Sequence, residues 1–407
     1  MRFGLEELPE DAAFRLRFLE WLRGNLPERW LQAVAERDPA ALEEARRDWD
    51  WFDFLARLGE AGYAAPSWPE RHGGLAAGRS ADRIVGEELH RMHLPLVSPN
   101  VLGIGMAGPT LIAHGSEEQQ QRYLPKILTC EEIWCQLFSE PGAGSDLAGL
   151  ATRARPEKGG FRISGQKVWT SLAQVAKWGM LLARSDPDLP KHAGLTWFIL
   201  DMESPGVEVR PLRQMTGEAE FNEVFLDEAH VPDQRVVGGV GNGWEVAKTT
   251  LLNERVALSG PVFGGGEPHL DLLQAAAGVP VSGPLRHEVS RRYIEAEVRA
   301  ATSARMAAKR SAGAQAGPEG SIGKIYNAEL NQRLTATRIL LYDAYAMLGD
   351  ERYPQVAEAV RSFLRARANT IEGGTSEILR NLIGERVLGL PREPRVDLDL
   401  PWRDLPK

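Results

Sequence analysis

The hydrophobic pattern of this chain changes period twice, and few folds accommodate that. Up to about residue 133, apolar residues recur at helical spacing. In EDAAFRLRFLEWLRGNL, Phe14, Phe18, Trp21 and Leu22 fall on one stripe. WFDFLARLGEAG ends in glycine, as helices often do, and SEEQQQRYLPKIL opens with Ser116 where a helix N-cap belongs. From residue 134 the pattern becomes short runs rich in Val, Ile, Phe and Trp. FRISGQKVWTS, WGMLLARSD, LTWFILDM, GVEVRPLRQM and FNEVFLDEAHVP are separated by turn residues and read as strands of a small all-β unit. From Trp244 the helical period returns, in LRHEVSRRYIEAEVRAATSARMAAKRSA, IGKIYNAELNQRLTATRILLYDAYAML and PQVAEAVRSFLRARANTI. This order predicts an α+β protein with segregated layers, divided into 1–133, 134–243 and 244–407.

At 407 residues the chain is long enough for that division. Its net charge of −8 argues against a nucleic-acid binder held by phosphate contacts. Cys130 and Cys135, its two cysteines, are too few for a disulfide framework and lack metal-ligand spacing, so no metal is expected and a reducing compartment is. His90 and His93 read as part of a solvated helix face. No apolar run approaches the roughly 20 residues of a membrane span, and MRFGLEELPED lacks the apolar core of a signal peptide. A cytoplasmic protein with no membrane partner is expected.

The stretch FSEPGAGSDLAGLATRA, residues 138–154, follows the apolar run WCQLF and gathers Gly, Pro, Ser and Asp between two carboxylates. It matches neither GxGxxG nor GxxxxGK[ST]. Its glycines allow close backbone approach to a ligand, and its N–H groups suit phosphate oxygens. A structural loop rich in turn residues reads equally well from these residues alone.

Taken with the segments that follow it, the chain resembles the acyl-CoA dehydrogenases over roughly residues 50–394. These flavoenzymes introduce a trans double bond between Cα and Cβ of acyl-CoA thioesters. SEPGAGSD resembles their first flavin loop, and GQKVWTS the Gly-x-Lys-x-Trp segment that meets the flavin ring. HGSEEQQQRYLPKI, FNEVFLDEAHVP and IEGGTSEILRNLIGERVLGLPREP fall in family order. The family fold is an N-terminal helical domain, a sandwich- or barrel-like middle β-domain and a C-terminal four-helix bundle. The resemblance implies FAD as cofactor, with backbone groups at Phe138 and Ser139 near the isoalloxazine ring. Gly144 and Ser145 would lie near the flavin phosphates, and Ser145 also near the CoA chain. Trp169 would pack on the flavin beside Thr170, with the Ser171 hydroxyl near N5, where many relatives carry Thr. Gly374, Thr375 and Glu377 would complete the cofactor contacts. The Gly373 N–H would bond the thioester oxygen, and Arg255 would support the CoA side.

The chemistry requires a base within reach of the α-proton. Two carboxylates compete. In many relatives the base lies two residues before the Thr of IEGGTSE, which here is Gly373; Glu372 is one residue off. In the isovaleryl and long-chain branches the base precedes an Arg on the earlier helix, and Glu254 in TTLLNERVAL matches. If residues 245–260 are helical, Ala247, Leu251, Glu254 and Leu258 form one stripe. An inward carboxylate with such neighbours favours its neutral form. Glu254 is therefore the expected base, and Arg255, about 100° further round, faces elsewhere. A buried structural ion pair is the alternative.

Two family segments are missing. Most relatives complete the neighbour's FAD site with Arg-x-x-Phe-Gly and Gln-x-x-Gly-Gly-x-Gly segments, where this chain reads LQAAAGVPVSGPLRHEV and ILLYDAYAMLGDERYP. Their loss implies a homologous partner subunit in a two-plus-two heterotetramer, as in the steroid-side-chain-degrading heteromeric members whose IEGGT…ERVLGLPREP ending this chain resembles. A homo-oligomer using other residues, such as Arg286 or Arg291, is the alternative. The expected acceptor is an electron-transfer flavoprotein. An oxidase passing electrons to O2, or a non-catalytic partner subunit, remain competing readings. The Asp base of nitroalkane oxidases is absent.

Overall fold

The computed structural model describes residues 8–47, 49–94, 99–259, 268–311, 320–348, 352–392, 394 and 399–405. Helices come first: α1 (Pro9–Asn25), α2 (Glu28–Glu36), α3 (Pro39–Arg47), α4 (Trp51–Glu60), α5 (Arg79–Arg91), α6 (Gly108–His114) and α7 (Glu117–Leu128). The strands are β1 (Trp134–Leu137), β2 (Arg153–Glu157), β3 (Gly160–Ser171), β4 (Trp178–Arg184), β5 (Leu195–Asp201), β6 (Val207–Leu212), β7 (Phe221–Pro232) and β8 (Val236–Val237). Then follow α8 (Gly243–Ser259), α9 (Pro268–Ala277), α10 (Gly283–Ser311), α11 (Gly320–Tyr342), α12 (Pro354–Arg365) and α13 (Ser376–Arg386). The architecture is thus helical, β and helical in turn. The chain divides into two compact units. One comprises 1–212, 220–253 and 396–407; the other comprises 213–219 and 254–395.

In the first unit the stripe on α1 behaves as its spacing requires. Phe14, Phe18 and Leu22 are buried in a cluster with Trp30, Phe54 and Ile84. Each such side chain contributes about 1.5–3 kcal/mol by leaving water. Helix α7 starts with a complete capping box: Gln119 N–H donates to the Ser116 hydroxyl at 3.2 Å, and Ser116 N–H to Gln119 Oε1 at 3.0 Å.

The strands form one sheet in the order β6-β7-β3-β2-β4-β5-β8, with β1 parallel to β4. Every residue of β4 is buried, because both sheet faces are covered; Met180 and Leu182 face one cluster, Leu181 and Ala183 another. Strand β2, sequence RARPE, escaped the sequence pattern because only Ala154 is buried in it. It pairs along β3 but meets β4 at a single residue pair, which leaves room for Pro156.

The second unit is helical. Helix α10 extends over the long segment that the sequence assigns to many turns; of the AGPEGS break after it, 316–319 lie outside the described residues, and Gly320 and Ser321 open α11. Leu272, Val289, Leu330 and Leu334 form its buried cluster. Among the described residues no helix is long and apolar enough to cross a membrane.

Candidate active site

The first candidate site element is the loop after β1. Its two flanking carboxylates are both held by lysines. Lys167, on β3 and 0% exposed, donates to Glu140 Oε1 at 2.8 Å, to Phe138 O at 3.0 Å and to Leu182 O at 2.8 Å. Glu140 also accepts the N–H groups of Ala151 at 2.7 Å and Thr152 at 2.9 Å. Burial alone would raise the Glu140 carboxyl, yet the Lys167 charge and these hydrogen bonds hold it below the usual carboxylate range. Asp146, at the far end, accepts from Lys191 at 3.0 and 3.1 Å. Between them Gly144 and Ser145 are exposed. Their N–H groups donate to no protein acceptor among the described residues, and a Cβ at Gly142 or Gly144 would meet open space. Phe138 is buried and Ser139 half-buried.

The loop is stitched to the end of β3, where Val168 N–H donates to Ser139 O at 3.0 Å. There the pairing with β7 slips between Lys167 and Thr170. Trp169 occupies this bulge with φ of 60° and 62% of its surface exposed. A bulky residue in the left-handed region is a backbone outlier of the kind that clusters at functional sites. Its ring meets Phe221 edge-on, with centroids 6.1 Å apart. Thr170 faces the other way: it is fully buried and its hydroxyl has no partner among the described residues. Ser171, the last residue of β3, is half-buried.

The second unit holds the remaining residues. Glu254 is half-buried in α8, and Arg255 beside it is pushed down by burial, against the attraction of Glu254. Earlier on α8, within the first unit, Ala247 is buried and Leu251 packs on that unit's own core; the side chain of Leu258 lies outside the described residues. Glu372 is engaged elsewhere. Arg365 reaches both its oxygens, at 3.0 and 3.3 Å, and Asn369 donates at 2.7 Å. The next two residues, Gly373 and Gly374, have φ of 62° and 92°, where a side chain would be strained. Gly373 N–H donates to no protein acceptor among the described residues. Thr375 caps α13, accepting from Ile378 N–H at 3.2 Å, and Glu377 is exposed in that helix's first turn.

One residue here has no counterpart in the sequence reading. Lys324, on α11 and 3% exposed, donates to Gly374 O at 2.7 Å and Asn369 O at 2.9 Å, so it clamps the glycine loop. Burial lowers it, while Glu372, Glu254 and Glu377 each pull it up. The surroundings of Glu254 are therefore less apolar than its helical stripe suggests. An inward lysine on a helix carries no local signal; only its spacing from buried neighbours such as Ala328 hints at it.

The acyl-CoA dehydrogenase N-terminal, middle and C-terminal domain families match residues 25–131, 135–229 and 241–388. The acyl-CoA dehydrogenase FadE34 of Mycobacterium tuberculosis is 40% identical over 361 residues, which are 88% of this chain and 48% of that protein, so this chain spans about half its length. The acyl-CoA dehydrogenase IpdE1 of the same organism is 37% identical over 391 residues, covering 94% of this chain and 98% of that protein. Among solved structures, the Tcur3481-Tcur3483 steroid ACAD superposes with a TM-score of 0.77 at 28% identity, over 96% of this chain and 100% of that one. The ChsE4-ChsE5 complex from Mycobacterium tuberculosis gives 0.75 at 25%, with the same coverage.

Proposed function

Because the chain belongs to the acyl-CoA dehydrogenase family, a family of oxidoreductases acting on CH–CH bonds, we propose that it converts an acyl-CoA thioester to the trans-2-enoyl-CoA with Glu254 as base. The observation that carries this is Trp169, an exposed indole held in a strained β-bulge beside the glycine loop. A strained backbone under an exposed aromatic suits a surface made to be covered by a flat ring system. The open N–H groups of Gly144 and Ser145 suit phosphate oxygens, so these residues fit FAD. FAD, when bound, supplies the acceptor for the β-hydride.

The protein's own groups divide the remaining work. Glu254 takes the α-proton. The Gly373 N–H, which meets no acceptor among the described residues, is available to the thioester oxygen, where charge develops as that proton leaves. Gly374, Thr375 and Glu377 follow on the same loop, and Arg255 is assigned to the substrate side. Glu372 is a poor candidate for the base, since Arg365 holds both its oxygens in a two-pronged ion pair that fixes its direction. Glu254 attracts both Lys324 and Arg255, so two cations share its surroundings.

We extend the proposal to substrate and assembly. The Tcur3481-Tcur3483 steroid ACAD supports a bulky or steroid-side-chain acyl-CoA, and its paired name together with the ChsE4-ChsE5 complex supports a heteromer completed by a homologous subunit. The segment that lacks the family's glycine pair exposes Tyr345, Met347, Leu348 and Tyr353, a surface suited to a partner. An electron-transfer flavoprotein is the proposed acceptor.

Glu254→Gln tests the base. Retained FAD with turnover lower by about 10²–10⁴-fold is the expected outcome; near-normal turnover removes Glu254 from the mechanism. Flavin per subunit, measured on the chain expressed alone and with a homologous partner, tests the assembly. Full occupancy and activity without a partner would overturn the heteromer.

A further inference from the structure

The segment 399–405 belongs to the first unit, far in sequence from the loops it touches. Pro401 forms a bridge with Pro190, Trp402 N–H donates to Leu189 O at 2.9 Å, and Arg403 N–H to Pro187 O at 3.1 Å. The segment thus lies along the connection between β4 and β5. From there Trp402 reaches across. Its Nε1–H donates to Gly149 O at 3.1 Å, and its ring covers the Arg184 guanidinium, 4.6 Å from the centroid.

Arg184 is 1% exposed. Among the described residues no carboxylate lies within ion-pair distance of it. It donates instead to Ala148 O at 2.6 Å, Leu150 O at 3.2 Å and Lys191 O at 3.1 Å. Burial pushes it down to about 10, against the more distant charges of Glu140 and Asp146. The carbonyls of residues 148, 149 and 150 are therefore all bound by Arg184 or Trp402. The same turn begins at Asp146, which Lys191 holds, directly after Gly144 and Ser145.

We propose that Trp402 is a positioning residue: through Arg184 and Gly149 it sets the Asp146–Leu150 turn, and with it the adjoining backbone at Ser145, the residue assigned to the substrate's CoA chain as well as to the flavin phosphates. The last clause rests on the acyl-CoA reading above. The physical case is a buried cation whose hydration has been replaced by three carbonyls and one aromatic face. Removing that face admits water to the guanidinium, which then competes with the carbonyls for its donors, and the turn loses its fixed points.

The test uses the active complex with Trp402→Ala and Trp402→Phe. Hydrogen exchange reads the Gly149 and Leu150 amides, which donate to Asp146 O at 2.9 Å and Leu147 O at 3.1 Å. Steady-state kinetics read KM and kcat separately. Trp402→Ala should speed exchange at these amides by about tenfold and raise KM for acyl-CoA by about tenfold, with kcat changed by less than about twofold and FAD retained. Trp402→Phe, which keeps a ring over Arg184 but loses the Nε1–H, should fall between. Unchanged exchange in a folded Trp402→Ala protein overturns the proposal, and so does faster exchange with an unchanged KM. An unsubstituted complex inactive on acyl-CoAs, with exchange still raised by the substitution, would uphold the clasp and defeat the acyl-CoA reading.

Discussion

The molecule contains two glycine-rich loops of similar composition, SEPGAGSD in the first unit and IEGGTSE in the second, and anchors them differently. Each is tied to a buried lysine from a distant element. In the first, Lys167 is neutralised by the loop's own Glu140, and cation and anion are both consumed inside the protein. In the second, Lys324 binds two loop carbonyls, while the loop's Glu372 is taken by Arg365. The first arrangement is a closed ion pair that fixes the backbone leading into the exposed Gly144–Ser145 segment. The second leaves a buried cation whose field acts on Glu372, Glu254 and Glu377 together. One loop is thus closed on its own ion pair, and the other holds its lysine and its carboxylate on separate partners.

Substituting the two lysines breaks this comparison most directly. Lys167→Met strands Glu140 as a buried, uncompensated charge, and should cost about 3–5 kcal/mol in denaturant unfolding, with FAD affinity falling in parallel. Lys324→Met leaves two carbonyls unpaired and no stranded acid at hydrogen-bond distance, so the loss should be about 1–3 kcal/mol. Equal losses would show that both loops depend on their lysines in the same way. Glu372→Gln removes only a partly exposed pair, worth about 1 kcal/mol or less, and should leave turnover within about threefold of the unsubstituted protein. A large loss of turnover would return the base to the glycine loop.

The smallest expected effect is a pH dependence outside both loops. Burial would raise Glu132, but hydrogen bonds from Arg122, Trp178 Nε1 and Lys126 and the charge of Arg122 bring it to about 2. A carboxyl lowered in the folded state adds stability above its unfolded value, and loses it as pH falls through the folded one. Thermal melts between about pH 5 and pH 2 should therefore show a progressive loss that Glu132→Gln reduces.

How much of this was legible in advance varied with distance along the chain. The stripe of Phe14, Phe18 and Leu22, the cap at Ser116 and the runs that became β3 to β7 are local patterns, and the structure follows them. Strand β2 was not legible, since a mostly exposed, proline-bearing segment has no apolar period to read. Trp169 was singled out by its motif, but nothing nearby foretold its left-handed backbone, which comes from a slip in pairing with β7. The ion pair that engages Glu372 was not legible either, because Arg365 reaches it only through the way the chain after α12 folds back.

By itself, then, the sequence determined the element types, their order and the family, because periodicity and contiguous motifs act within a few residues. Only the tertiary structure decided which buried charges meet. Lys167 lies 27 positions from Glu140, Lys324 lies 50 from Gly374, and Trp402 lies 253 from Gly149. A polar group withdrawn from water must find a partner wherever the fold brings one, and no local spacing records which partner that is.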